Sequence, residues 1–384
     1  MKILLDARLY GLEHAGLGRY TLNLIEELKK LGDKEEFVIL LRKKYYDKLR
    51  FPKNWKKVKA DFRHYSYTEQ IMLPILLYKE RADIVHFPHF NVPVLYFGKY
   101  VVTVHDLLMH KFVGGAVTTL PFPFYQIRRV GYNIAFYKAM KFSRKIIVPT
   151  NYVKNDVVDN YKINPDKVAV IYEGISTFDG AKRDTQNGIR KTLKKYNIEK
   201  PYFIYVGNAY PHKNLESAID AVTKLNRKSS ENVLFVIAGS RDVFKDRLKD
   251  YVEKRNVHKY VRLLGYVPDE DLGVLLKQSV ALIYPSLSEG FGLQGLESMA
   301  AGTLVVSSDI PVFREIYKDN AVYFDPYDVD SISGAMKTVM KIPSTKREQM
   351  INTGKKFIKR YSWPKMAKQT LDVYQNVLKA KQET

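Results

Sequence analysis

Apolar, strand-like runs alternate with amphipathic stretches along nearly the whole chain. In the first half the runs are Lys2–Leu5, Phe37–Leu41, Asp83–His86, Val101–His105, Lys145–Val148 and Val168–Tyr172. Between them lie segments with helical spacing, such as Arg19–Leu31 and Asn151–Tyr161, the second preceded by Thr150 as N-cap. The rhythm breaks over the polar stretch Gly174–Gly188. It restarts with strands at Tyr202–Val206, Val233–Ala238, Val261–Leu264, Ala281–Tyr284, Leu304–Ser307 and Ala321–Phe324. Helical segments Leu215–Leu225, Asp242–Arg255, Asp269–Lys277 and Leu293–Ala301 separate most of these. Strand–helix alternation of this kind predicts an α/β protein with parallel sheets covered on both faces. Two doubly wound, Rossmann-like domains are expected, at residues 1–175 and 191–362, joined by a linker at 176–190. A last helix, with Met366, Thr370, Val373 and Val377 at helical spacing, fills residues 363–384 and is expected to cross back onto the first domain. Ligands of such sheets bind beyond the carboxyl ends of the strands, so the expected site is a cleft between the domains.

Composition narrows the chemistry. None of the 384 residues is cysteine, which removes disulfides, thiolate metal sites and cysteine nucleophiles. The N-terminus is charged within eight residues and reads as a first strand, not a secretory signal, and no apolar run approaches the ~20 residues of a membrane span. The net charge of +22 points to a phosphorylated substrate, an anionic lipid surface or nucleic acid. From Leu107 to Asn155 there is no acidic residue, while Arg128, Arg129, Lys138 and Lys141 are interleaved with Phe124, Tyr132, Phe136, Tyr137 and Phe142. A second basic run, Arg42–Lys59, carries Tyr45, Tyr46, Phe51 and Trp55. Cations beside aromatics suit a protein lying on an anionic bilayer, although part of those aromatics would serve a core equally well. The expectation is a cytoplasmic protein held peripherally at the inner face of the membrane. Nucleic acid is disfavoured, because no helix-turn-helix, RNA-binding aromatic motif or basic tail accompanies the charge.

The densest chemical signal is Ser288–Glu297. A glycine-rich turn, Gly290-Phe291-Gly292-Leu293, joins a strand to a helix and is flanked by Glu289 and Glu297. Backbone N–H groups and the positive end of a helix dipole make such a turn a phosphate site. Carboxylates beside it suit the hydroxyls of a sugar nucleotide. Four further stations fall at strand ends. Gly16-Leu17-Gly18 precedes the first helix and allows close backbone approach. His105-Asp106 ends an apolar strand, where the imidazole can bond to a hydroxyl or exchange a proton with it. Gly207 is followed by His212-Lys213, a cation beside a helix start, and Gly265-Tyr266-Val267 is a turn suited to a nucleobase. His86 and His89 are weaker candidates on the same grounds.

In this order the stations closely resemble the retaining glycosyltransferases of family 4, which have the two-Rossmann GT-B fold. The opening Asp6-Ala7-Arg8 with Gly18-Arg19-Tyr20 looks most like O-antigen-type mannosyltransferases. The resemblance implies that Lys213 binds the donor diphosphate and Glu289 the donor sugar. The backbone of Gly290, Phe291, Gly292 and Leu293 would hold sugar and phosphate, and Glu297 the ribose. Gly16 and Leu17 would approach the diphosphate, and Gly207, His212, Tyr266 and Val267 would complete the donor site. His105 would stand by the transferred sugar, with Asp106 and the basic stretch serving acceptor and membrane. It implies a hexose, mannose or glucose, passed from a nucleotide diphosphate sugar to a lipid or lipid-linked saccharide, with no cofactor and no obligatory metal. Asp328 and Asp330, the one Asp-x-Asp considered, read as a helix start. His212 and Asn208 depart from the family's usual cations, and Gln294 and Leu304 from its usual prolines. A sugar phosphorylase or nucleotide-sugar epimerase on the same fold is the alternative. Oligomeric state is not expressed in the sequence.

Overall fold

The computed structural model describes residues 1–31, 34–112, 122–176, 185–199, 201–228, 232–239 and 243–379. These fall into two compact units, the first drawn from residues 1–111, 118–174 and 361–384 and the second mostly from 175–360.

The first unit is built on β1 (Lys2–Asp6), β2 (Glu36–Leu41), β3 (Trp55–Lys59), β4 (Ile84–Phe87), β5 (Tyr100–Thr103), β6 (Lys145–Val148) and β7 (Val168–Val170). They form one parallel sheet in the order β3-β2-β1-β4-β5-β6-β7. Six of these strands lie within two residues of their expected ends. The seventh, β3, sits in the second basic run. Trp55 packs inward on Phe37, with ring centroids 4.3 Å apart, while Lys56 and Lys59 point to solvent. A lysine-rich edge strand discourages further pairing. The last five residues of that run are therefore an edge strand of the sheet.

The second unit carries β8 (Tyr202–Val206), β9 (Leu234–Ala238), β10 (Val261–Gly265), β11 (Ala281–Tyr284), β12 (Val305–Ser308) and β13 (Val322–Phe324). Their order is β10-β9-β8-β11-β12-β13, again parallel. In each sheet the strand order reverses once, between β1 and β4 and between β8 and β11. Such switch points open a crevice at the carboxyl ends of the strands.

Helix Gln186–Lys195, capped by the Thr185 hydroxyl at the Gly188 amide (3.1 Å), begins inside the stretch expected as linker. Residues 177–184 of that stretch lie outside the described residues. Asp328 caps helix Val329–Met340 by accepting from the Asp330 amide at 2.8 Å.

Helix Trp363–Lys379 belongs to the first unit. Its Trp363, Met366, Ala367, Leu371 and Tyr374 join Ile3, Leu5, Leu24, Leu28 and Phe37 in one buried cluster. Tyr374 reaches His86 on β4 at 2.5 Å, and the other nitrogen of His86 lies 2.8 Å from the Thr103 hydroxyl on β5. The helix is thus fixed by apolar contact and by a buried polar chain.

Candidate donor site and a paired histidine

In the second unit the switch point carries a cation and a carboxylate. After β8 the chain turns at Gly207, whose amide donates to the Ala238 carbonyl at 2.9 Å, and enters the short helical turn Pro211–Lys213. After β11 it runs through Ser286 and Ser288 to Glu289. The two loops are joined where the Leu287 amide donates to the His212 carbonyl at 2.8 Å. Lys213 and Glu289 are both buried, and the ammonium donates to Glu289 Oε1 at 2.5 Å. Ser286 donates to the same oxygen at 2.7 Å. Burial alone would push the Glu289 carboxyl up. Lys213, His212 and the two hydrogen bonds outweigh it and hold the carboxyl below its ordinary value. Burial, helped by the Lys213 charge, pushes His212 down to about 4, so its ring is neutral at physiological pH.

The glycine-rich turn behaves as its sequence suggests. Gly292 is the N-cap of helix Leu293–Ala301 at φ 95°, a left-handed conformation that favours glycine. The Tyr317 hydroxyl donates to its carbonyl at 2.6 Å, and a Cβ at Gly292 would fall 2.4 Å from that hydroxyl. Tyr317 is thus a shelf under the turn, and no sequence signal marked it. Gly290 and Phe291 are buried, Leu293 is half-buried, and Glu297 is buried one turn into the helix. Gln294 accepts from the Tyr284 hydroxyl at 2.6 Å. Beyond β10, Val267 is buried while Tyr266 is 73% exposed, leaving its ring open to a planar partner. The second unit therefore brings together a cation, a carboxylate and a glycine turn at a helix N-terminus, a set suited to a sugar diphosphate, and carries an open aromatic ring after β10.

The first unit revises three expectations. Gly16 and Leu17 do not lie in a loop: helix Ala15–Leu31 begins before them, so they occupy its first turn. Space around Gly16 is open, whereas a Cβ at Gly18 would fall 1.8 Å from the Gly11 carbonyl. The second glycine thus serves a contact within the protein. His105, expected to bond to a hydroxyl or exchange a proton with it, has both nitrogens engaged within the protein, at 3.0 Å from Glu173 Oε1 and 3.0 Å from the Pro88 carbonyl. Lys138 is buried, with its ammonium donating to the Val94 carbonyl and lying over the Phe97 ring at 4.2 Å. It is a packing residue, not a membrane cation. Asp106 caps the backbone locally, accepting from the Leu108 amide at 3.0 Å.

Arg128 and Lys141 are exposed and Arg129 half-exposed on helix Phe122–Phe142. This helix buries Tyr132, Phe136 and Met140 and exposes Phe124, Ile127, Val130, Ile134, Tyr137 and Phe142. Segment 94–97 abuts it through Lys138 and exposes Leu95 and Phe97. The same segment bonds to helix Tyr67–Glu80, where the Tyr78 hydroxyl accepts from the Phe97 amide at 2.9 Å. That helix exposes Ile71, Met72, Ile75 and Tyr78. Among the described residues no helix is long and apolar enough to cross a membrane.

At the end of β1, Arg8 is buried between Asp6 (2.6 Å) and Glu69 (2.8 Å), and Asn91 donates to both Glu69 oxygens at 2.9 Å. Asp6 and Arg8 stood out in the sequence only as a family marker. Glu69 gave no signal beyond its place in the capping segment Ser66–Glu69, where the Ser66 hydroxyl accepts from the Glu69 amide at 3.1 Å.

Comparison with known proteins agrees with this geometry. The family model "Glycosyltransferase Family 4" matches residues 14–177, and "Glycosyl transferases group 1" matches residues 189–357. The chain is 25% identical over 372 residues to O-antigen chain mannosyltransferase RfbU of Salmonella typhimurium, covering 93% of this chain and 94% of that protein. It is 26% identical over 391 residues to O-antigen chain mannosyltransferase B of Escherichia coli, covering 97% and 99%. In fold it is similar to sucrose-phosphate synthase of Thermosynechococcus elongatus, with a TM-score of 0.75 over 99% of this chain and 100% of that one at 16% identity. With a family model on each half, and likeness to named glycosyltransferases along its length, the chain is a family 4 glycosyltransferase of the GT-B fold.

Proposed function

We propose that the enzyme moves a hexose, mannose before glucose, from a nucleotide diphosphate sugar to a lipid-linked saccharide with retention of anomeric configuration. The observation that carries this reading is the buried Lys213–Glu289 pair beside the N-terminus of helix Leu293–Ala301. Lys213 and that N-terminus meet the charge of the leaving diphosphate, Glu289 accepts from the sugar hydroxyls, and Glu297 from the ribose. Mannose is placed first because two relatives that cover nearly the whole chain are O-antigen chain mannosyltransferases. In the transfer the C1–O bond to the diphosphate breaks and a C1–O bond to the acceptor hydroxyl forms. His105 has no free lone pair for the acceptor's proton, so that proton leaves on the diphosphate oxygen. No metal is required in this reading, since the ammonium and the helix dipole supply the positive charge.

The acceptor's lipid is read from the exposed aromatic and aliphatic side chains of helices Phe122–Phe142 and Tyr67–Glu80, with Arg128, Arg129 and Lys141 among them. Apolar side chains mixed with cations are what an anionic bilayer surface takes up. The enzyme then works as a peripheral protein at the cytoplasmic face.

The test is a screen of GDP-mannose and UDP-glucose with lipid-linked acceptors, following release of nucleoside diphosphate and the anomeric proton of the product, with and without EDTA. Retention with GDP-mannose in EDTA is expected. Inversion, loss of transfer on chelation, or turnover without nucleoside diphosphate release would each refute the corresponding part. The last outcome would favour an epimerase or phosphorylase.

A further inference from the structure

His105 makes two contacts that a neutral imidazole cannot both satisfy beside an ionised Glu173. Its Nε2 lies 3.0 Å from the Pro88 carbonyl oxygen, which has no proton to offer, so Nε2 carries a hydrogen. Its Nδ1 lies 3.0 Å from Glu173 Oε1, and an ionised carboxylate also only accepts. A ring with one N–H would set a lone pair against a lone pair at one of these points. We infer that Glu173 is a positioning residue that holds His105 doubly protonated and fixed in orientation, so that the histidine brings a positive charge, not a base, to glycosyl transfer. The step in catalysis rests on the proposed transfer reaction; the state of the ring does not.

The surroundings support a single charge here. Only 13% of the His105 side chain and 7% of the Glu173 side chain are exposed, so solvent screens the pair weakly. Tyr20 meets the imidazole edge-on, with centroids 4.7 Å apart at 82°, and its hydroxyl is tied to Thr103 at 3.3 Å. Burial would push the His105 pKa down. The Glu173 hydrogen bond and charge, the Pro88 carbonyl and nearby Asp106 together raise it above the ordinary value. The two neighbouring histidines go the other way. Burial, and then the charge of His105, depress His86 and His89 to about 3. Three clustered imidazoles thus carry one proton more than their neutral number, and Glu173 decides which ring holds it. Glu173 follows β7 and His105 follows β5, so the pair also pins two strand ends to each other.

The experiment is a histidine-side-chain NMR titration of the intact protein, with His105 assigned by the signal missing from His105→Gln. His105 is expected to titrate above 6.5, its ordinary value, and in Glu173→Gln to fall by about one pH unit or more. Kinetically, Glu173→Gln is expected to lower kcat about tenfold with donor KM little changed, and to shift the alkaline limb of the pH profile downward. Glu173→Asp should restore part of both effects. Unchanged melting and unchanged nucleotide binding in Glu173→Gln would show that the fold is intact. A His105 that titrates below its ordinary value, or whose titration ignores Glu173→Gln, overturns the inference. The NMR arm needs no substrate, so failure of the proposed reaction would appear separately, as absent turnover with a normal titration.

Discussion

The Lys213 ammonium donates to Glu289 Oε1 at 2.5 Å, with both side chains buried. The two groups that would hold opposite ends of a sugar diphosphate hold each other in the free protein. Donor binding must therefore share the ammonium between carboxylate and phosphate. Lys213→Ala is expected to weaken nucleotide-sugar binding by roughly 1.5–3 kcal/mol, the range for a charged hydrogen bond. It also strands a buried carboxylate, so melting temperature should drop. Pairing the change with Glu289→Gln removes the stranded charge and should recover stability without recovering affinity. Calorimetry and thermal unfolding of the two variants check both halves.

Glu289 and Glu297 lie on opposite sides of the Gly292 turn and should fail differently. Glu289→Gln is expected to cut turnover by about tenfold or more while nucleoside diphosphate binds nearly as before, because the proposed role of that carboxylate is to hold the sugar and not the nucleotide. Glu297→Ala is expected to raise the dissociation constant of the nucleoside diphosphate about tenfold through lost ribose contacts. Equal weakening by both would refute this division of roles.

If His212 lines the donor site as proposed, donor binding should depend on pH. Its ring titrates at about 4 in the free protein, below its ordinary 6.5. A diphosphate brought beside it favours the protonated form and raises that value. Binding should therefore take up protons, and affinity should rise as pH falls through the raised value of the complex and level off below about 4, the value of the free protein. A nucleotide sugar is the right probe, since its bridged diphosphate has no proton to lose in this range. Calorimetry in buffers of different ionisation heat reads the uptake directly, and His212→Arg should abolish it.

Membrane contact should follow the exposed cations of helix Phe122–Phe142, not every cation in it. Replacing Arg128, Arg129 and Lys141 by Glu is expected to release the protein from anionic vesicles, at about 1 kcal/mol for each cation near the surface. Hydrolysis of the nucleotide sugar, which the proposed function assigns to the second unit, should persist. Lys138→Glu is a poor test of the same idea, because Lys138 is buried against Phe97 and its loss should lower stability first. Vesicle co-sedimentation at low and high salt separates these outcomes.

Strands buried on both faces were plain in the sequence, because a run such as Phe203–Tyr205 is apolar without interruption. The edge strand β3 was not, since three of its five residues are lysines and only Trp55 turns fully inward. Helix Phe122–Phe142 escaped for the opposite reason. Apolar residues lie on its buried face and on its exposed face alike, so no helical period stands out. The candidate donor residues stood out because a glycine turn and its flanking carboxylates are adjacent in the chain. Glu173 was not: it lies 68 residues from His105, and only the parallel pairing of β5, β6 and β7 brings the two together. Lys138 was misplaced because charge composition does not say which lysine finds a buried carbonyl.

The placement of helix Trp363–Lys379 has a consequence for biosynthesis. On the ribosome, domains tend to fold in the order they emerge. Here the first domain lacks Trp363, Met366, Leu371 and Tyr374 until the whole second domain has been made. Until then the faces of Leu24, Leu28 and Phe37 that this helix covers remain open to solvent. A nascent chain halted after the first domain is therefore an adhesive, unfinished object and a natural client for a chaperone. The second domain, begun later, is the one that can finish first.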